Sequence, residues 1–182
     1  MNKKIKYIIF VIAFLFVVSG CGCNGNVNID INKTKEVNLE NLKLSIPEVF
    51  VEDKNTNSED NNINKYYLVV NEKSNDQCNI TISNKEDNGE KLEDLIDYVL
   101  GYNYDEDFND ESEENEENIY KKTNINNTEW VYHKFDDDMN ISHYIYVSRK
   151  NGKIYTIVYN NIGKNDICDK AFNKIINSFN FN

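Results

Sequence analysis

The chain has 182 residues, with 20 basic and 31 acidic side chains and a net charge of −11. A single proline and seven glycines exclude collagen-like sequences and extended linkers. Nucleic acid would repel so acidic a chain, which has one arginine, Arg149, and no basic helix, so nucleic-acid binding is excluded.

The N-terminus has the parts of a secretory signal. Residues 1–6 carry three lysines and no acid, and residues 7–18 are all apolar or aromatic. This run of 12 residues is shorter than the ~20 that a helix needs to cross the hydrocarbon layer, so a membrane-spanning helix is the weaker interpretation. Val18, Ser19 and Gly20 then precede Cys21.

The ending Val-Ser-Gly-Cys resembles the lipobox of bacterial lipoproteins. The resemblance implies that residues 1–20 are a signal peptide, that the Cys21 thiol receives a diacylglyceryl group, and that cleavage leaves Cys21 first. Two acyl chains hold a protein on a membrane, whereas one binds only marginally. We expect a lipid anchor at Cys21 on the extracytoplasmic face of the cell membrane. The alternative is a chance cysteine after an ordinary signal.

The polar, glycine-containing residues 21–37 are predicted to be the lipidated cysteine and a flexible tether. Residues 38–182 are enough for one domain, which we expect to be monomeric. Without the signal peptide the chain has 17 basic and 31 acidic residues, a net charge of −14. So acidic a domain is expected to gain nothing from anionic lipid headgroups.

The first half of this domain contains predicted strands at residues 42–46, ending before Pro47, and at residues 66–70 and 78–83, which we expect to pair. Alternation in the last of these places Cys78 toward the core.

Residues 91–100 have helical periodicity instead. The predicted buried stripe comprises Leu92, Leu95, Ile96, Val99 and Leu100, and the predicted outward acids are Glu93, Asp94 and Asp97. Residues 105–117 contain nine acids and no base, which predicts a solvated loop under charge repulsion.

The second half is predicted to be an antiparallel meander with strands at residues 119–124, 129–135, 141–149 and 153–159. Asn151-Gly152 predicts a type I′ hairpin turn because both residues tolerate φ > 0. A final helix is predicted, with Asn165 or Asp166 as its N-terminal cap. Its predicted stripe, with Cys168 in the first turn, comprises Ile167, Ala171, Phe172, Ile175, Ile176 and Phe179.

Three cysteines remain after lipidation of Cys21, and the extracytoplasmic compartment permits disulfides. Cys23 lies in the predicted tether, which leaves Cys78 and Cys168 as the natural pair. The alternative is two buried free thiols.

The order of the predicted strands and helices along the chain predicts an α+β fold, a three-layer α-β-α sandwich around one antiparallel sheet. The segments LKLSIPEVF, Leu-Glu-Asp-Leu-Ile, GKIYTIVY and FNKIINSFNF, with the isolated Trp130, resemble the PsbP-like lipoprotein domains. The resemblance spans roughly residues 42–181 and implies the fold of the photosystem II extrinsic protein PsbP and of a Ran-binding import factor. It also implies a non-enzymatic binding or accessory role.

The candidates for metal chemistry are His133 and His143, predicted to face each other across a hairpin centred on Asp138, with Asp136 or Asp138 as a further zinc ligand. Two surface histidines are the favoured interpretation. The acids 136–138 and 105–117 lack the glycine-centred spacing of a calcium loop. No metal, cofactor or catalytic residue is expected, since phosphate loops, dinucleotide fingerprints and nucleophile elbows are absent.

The sequence therefore predicts a membrane-anchored extracytoplasmic lipoprotein that is not an enzyme and that binds an unidentified envelope protein. The alternatives are a cell-envelope enzyme of unknown reaction and a structural or stress-related envelope protein.

Overall fold

The computed structural model describes residues 29–53, 63–100 and 120–181. The predicted signal peptide over residues 1–20, the predicted lipidation site Cys21 and the acidic run 105–117 lie outside the described residues. None of the helices in the described ranges is long and apolar enough to cross a membrane.

Two helices and ten strands are described, and every strand pairing is antiparallel. In chain order they are β1 (Thr34–Leu39), β2 (Leu42–Pro47), β3 (Val51–Glu52), β4 (Ile63–Asn71), β5 (Asp76–Glu86), α1 (Leu92–Leu100), β6 (Lys121–Ile125), β7 (Thr128–Asp136), β8 (Ile141–Lys150), β9 (Lys153–Ile162), α2 (Asp166–Asn177) and β10 (Asn180–Phe181).

The larger sheet has seven strands in the order β3-β4-β5-β9-β8-β7-β6. The predicted pairing of β4 with β5 is confirmed, with Leu68 opposite Cys78. The predicted turn between β8 and β9 is confirmed as well, since Asn151 and Gly152 have φ values of 53° and 75°. Local turn chemistry thus sets the register at the centre of the sheet.

A second sheet of three strands, in the order β1-β2-β10, departs from the single sheet predicted from the sequence. β2 pairs with β1, where Val37 lies opposite Leu44, and with β10. The predicted tether over residues 21–37 extends too far, because residues 34–37 belong to β1 and the Val37 side chain is buried. Burial of Val37 and Leu39 against the core supplies the driving force for this strand.

The main core lies between the larger sheet, the smaller sheet and α2. Its largest buried side chains include Trp130, Tyr155, Tyr159, Phe50 and Phe179. The predicted disulfide is confirmed: it joins Cys78 of β5 to Cys168 in the first turn of α2, with Cα atoms 5.6 Å apart and both residues fully buried.

The predicted cap of α2 is confirmed at Asn165, whose side chain accepts a hydrogen bond from the backbone N–H of Ile167 at 2.9 Å. The Tyr159 hydroxyl donates to the Cys168 carbonyl at 2.7 Å. This bond and the disulfide fix the start of α2 to the sheet, and burial raises the pKa of Tyr159 above its usual value, the Asp169 charge adding to the effect.

The other face of the larger sheet carries α1, because successive residues of a strand point to opposite faces. Leu95 and Ile96 of α1 pack there in a second cluster with Val131, Ile145, Val147 and Ile154. Two side chains differ from the predicted stripe: Val99 is 40% exposed and Asp97 is buried. The Asp97 carboxylate accepts a hydrogen bond from the Tyr120 hydroxyl, a partner distant in sequence.

Candidate binding face

Helix α1 packs mainly over β7 and β8, and its cluster extends to Ile154 of β9. On the remainder of this sheet face, strand pairing aligns one row of side chains across six strands. We define the open face as this row, Val51, Tyr67, Asn79, Asn160, His143 and Phe135, together with Val69. At the usual strand separation the row is roughly 24 Å long.

The two ends of the open face differ in character. Val51 and Val69, at the β3–β4 end, have 52% and 42% of their surface exposed. Asn79 and Asn160 lie at its centre and offer amide donors and acceptors. An apolar end beside polar amides gives this face both contact area and directional hydrogen bonds, as protein interfaces have.

The edge of the sheet next to Val51 is also incompletely paired. β3 has two residues, which pair with Tyr66 and Tyr67 of β4. Among the described residues, no strand pairs with β4 beyond Tyr67 on this side. Exposed backbone groups at a sheet edge allow another strand to add.

At the other end of the face, Phe135 is stacked between the two histidines. Its ring centroid lies 5.3 Å from that of His133 and 4.5 Å from that of His143. Tyr120 contacts His133 edge-on at 6.0 Å. The ring faces are turned toward one another, so this stack provides a rigid end to the face rather than an open aromatic platform.

His143 is held by two oxygen atoms. Its Nδ1 lies 2.9 Å from Asn160 Oδ1 and its Nε2 lies 3.0 Å from Asp137 Oδ2. Asp137 also accepts hydrogen bonds from the backbone N–H groups of Met139 and Ile141. The hydrogen bond from His143 is the main cause that lowers the pKa of Asp137.

The predicted hairpin centre, on which the zinc hypothesis depended, was wrong by one residue. Phe135 lies opposite His143, and His133 lies opposite Ile145. The further candidate ligand Asp136 instead accepts a hydrogen bond from Ser142 and pairs with Lys164. In the described ranges, no three His, Cys, Asp or Glu side chains are grouped so that they could hold a metal ion.

A separate shallow cleft of about 450 Å³ lies beside the C-terminal half of α2. It is lined by Thr34, Asn173, Lys174, Asn177 and Ser178. No carboxylate, imidazole or thiol lines it, so this cleft lacks the groups that general acid–base or nucleophilic catalysis uses.

Comparison with known proteins identifies the fold. No family model and no curated protein matches the chain. The solution structure of the cyanobacterial PsbP protein CyanoP from Synechocystis sp. PCC 6803 matches with a TM-score of 0.55 and 14% identity, covering 91% of this chain and 99% of that one. The chain has a PsbP-like, α+β fold.

A crystal structure from Bacteroides thetaiotaomicron VPI-5482 matches with a TM-score of 0.50 and 11% identity over 84% of this chain. The match covers 49% of that protein, so this chain spans about half its length. At these identities the similarity concerns the fold alone.

The sequence had singled out the histidines of this face but not Tyr67, Asn79 or Asn160. Their positions follow from strand registers that connect β4, β5 and β9. The sequence offered one signal for this face, asparagine at outward-facing positions of the strands. That signal was weak, because asparagine, threonine and charged residues are all compatible with an ordinary solvated sheet face.

Proposed function

We propose that this protein is a membrane-anchored extracytoplasmic lipoprotein with a non-catalytic binding or accessory role, and that the open face binds a protein of the cell envelope. The observation that carries the binding role is the row of side chains across six strands, with Val51 and Val69 exposed at one end. The proposed layering, with α1 and α2 on opposite sides of the larger sheet, leaves this face available.

The non-catalytic role is supported by the chemistry of the face. Both ring nitrogens of His143 already lie against oxygen atoms, at 2.9 and 3.0 Å. Proton transfer to a substrate would require one of these contacts to break. The PsbP-like fold fits an accessory role by analogy.

The extracytoplasmic location is supported by the disulfide between Cys78 and Cys168. Structural disulfides persist in oxidising compartments and are rare in the cytosol. A disulfide that joins β5 to α2 at the centre of the main core fits a domain that folds after export.

The anchor is tested by replacing Cys21. In cells fed an alkyne-tagged fatty acid, we expect the parent protein to carry the label and to sediment with membranes, and a Cys21→Ala protein to lose the label. A labelled Cys21→Ala protein, or an unlabelled parent protein, would overturn the proposed anchor.

The binding face is tested by site-specific photo-crosslinking in intact cells. A photoreactive residue at Asn79 or Val69 is expected to give one discrete adduct with an envelope protein, whereas the same residue at Asn173, on the exposed side of α2, gives none of it. A charge introduced by Val69→Lys should abolish the Asn79 adduct. Absence of an adduct from both positions would refute the proposed face.

A further inference from the structure

The side of the domain opposite the open face presents a group of lysines that lack acidic partners. Lys33, Lys170 and Lys174 are exposed, and we define them as the lysine surface. None of the three has a carboxylate within salt-bridge distance among the described residues. The Asp30 carboxylate is near Lys33 and Lys174, and Asp166 and Asp169 lie in the first turn of the helix that carries Lys170 and Lys174.

Cations at the β8–β9 end of the domain are used differently. Lys153 pairs with Glu40, and Arg149 pairs with Asp87 at 2.5 Å. Their charges are therefore largely compensated within the protein. The charges of the lysine surface remain available to an external anion.

The lysine surface borders the shallow cleft. Lys174 lines it together with Asn173 and Thr34. Lys174 Nζ donates to Asn32 Oδ1 at 2.6 Å, a neutral acceptor, and the Asp30 carboxylate is close enough to feel the Lys174 charge without forming an ion pair with it. One ammonium group beside neutral donors suits a phosphate diester, which carries a single negative charge.

The chain enters the described domain at this same place. Ile29 and Ile31 pack against the main core, and Asn32 contacts α2 through Lys174. The Asp30 carboxylate accepts the Asn32 backbone N–H, which is the main cause that lowers its pKa, and Lys33 and Lys174 contribute further. Both lysines thus lie close to the point of entry.

The proposed anchor is near this entry point. Seven residues lie between Cys21 and Ile29, and the eight Cα-to-Cα steps of a fully extended chain span at most about 29 Å. A domain of about 150 residues is roughly 38 Å across. The side opposite the entry point therefore cannot rest on the bilayer, because the entry point would then lie about 38 Å from it, beyond the reach of the tether.

We propose that the lysine surface and its cleft contact the anionic phospholipid headgroups of the membrane that holds the anchor. This inference rests on the proposed anchor at Cys21. It orients the domain with α2 toward the bilayer. The open face, on the other side of the larger sheet, then points away from the membrane and toward its partner.

The test uses the full-length lipidated protein, purified from membranes in detergent and reconstituted into vesicles. Acetylation of each lysine is measured by mass spectrometry on vesicles of phosphatidylcholine alone and of phosphatidylcholine with phosphatidylglycerol. We expect the lysine surface to react roughly fivefold more slowly on the anionic vesicles. The protection should disappear in 1 M salt, where the screening length is about 3 Å.

Lysines on the α1 side of the larger sheet serve as internal controls. Lys85, Lys91 and Lys122 are exposed there and should react equally on both vesicles. A Lys174→Glu protein should lose the protection of Lys33 and Lys170, whereas the charge-matched Lys91→Glu protein should keep it.

The outcomes separate the orientation from the anchor. A protein that floats with both kinds of vesicle but shows no protection, or equal protection on both, overturns the headgroup contact and leaves the anchor intact. A protein that does not float with either vesicle overturns the anchor itself. Protection of the α1-side lysines instead would reverse the proposed orientation.

Discussion

The disulfide between Cys78 and Cys168 gives a sharp test of how this domain is stabilised. It closes a loop with a sequence separation of 90 residues between β5 and the first turn of α2. For such a loop the chain-entropy relation gives about 4.6 kcal/mol of stabilisation through the unfolded state. That is a large share of the ~5–15 kcal/mol by which domains are usually stable.

The assay is urea unfolding of the oxidised protein and of a Cys78→Ala, Cys168→Ala double variant, both carrying Cys23→Ser to prevent exchange. We expect the double variant to lose about 3–5 kcal/mol of unfolding free energy, because both cysteines are fully buried and their Cα separation of 5.6 Å is typical of a disulfide. A loss below about 1 kcal/mol would show that the crosslink does not restrict the unfolded chain as the entropy relation assumes.

A kinetic measurement checks the same structure independently. Both half-cystines are fully buried, so a reductant reaches the disulfide only when the domain opens. Reduction of the folded protein should therefore be slow and should accelerate with urea in parallel with unfolding. Fast reduction that is insensitive to urea would contradict the buried position of the crosslink.

Three further predictions concern single side chains. Gly163→Ala should lower the free energy of unfolding by about 2–3 kcal/mol and Gly152→Ala by about 1 kcal/mol, as measured by urea unfolding. Both glycines have a positive φ, and at Gly163 an added Cβ would also overlap the Asp76 carboxylate. Burial is the main cause that raises the pKa of Tyr146 to about 12 from 10.0. The stability that the neutral Tyr146 contributes is therefore fully present below pH 10 and falls as the pH rises toward 12. In unfolding curves at alkaline pH, Tyr146→Phe should remove about 2 kcal/mol of this loss. Phe179→Ala should cost about 3–5 kcal/mol and red-shift the fluorescence of the single tryptophan, which it packs against at 5.3 Å.

Features governed by local chemistry were predictable from the sequence. The β8–β9 hairpin follows from Asn151-Gly152, because both residues tolerate the positive φ of a type I′ turn, whose twist matches that of the two strands. The start of α2 follows from Asn165, whose side chain satisfies a free backbone N–H. Each of these depends on contacts within a few residues.

The β7–β8 hairpin shows where such reasoning fails. The predicted strands at residues 129–135 and 141–149 leave a five-residue turn over residues 136–140, but in the structure Asp136 continues β7 and Asn140 adopts a φ of 62°. The backbone N–H of Asp137 donates to the Ile141 carbonyl at 2.9 Å and closes a shorter loop. The loop proper is then residues 138–140, and three-residue loops that end in a left-handed residue are common in hairpins. Composition alone did not distinguish this loop from a five-residue one. The histidines consequently have different partners from those predicted.

Elements that depend on distant contacts were not predictable. β1 contains only two apolar residues, Val37 and Leu39. It forms a strand because its backbone pairs with β2 and because these two side chains pack in the main core. β10 has two residues and pairs with β2 from the other end of the chain. Asp97 is buried because Tyr120, which follows the acidic run, supplies its hydrogen bond.

Charge illustrates the same limit and bears on the orientation at the membrane. The net charge of −14 for the chain without residues 1–20 predicts no gain from anionic headgroups only if acids are spread evenly. They are not, since nine of the 31 acids lie in the run 105–117. Within the described ranges the count is 16 basic and 20 acidic residues. Because screening confines electrostatic contacts to about 8 Å at physiological salt, the lysine surface, and not the total charge, would decide which side of the domain meets the headgroups in the proposed orientation.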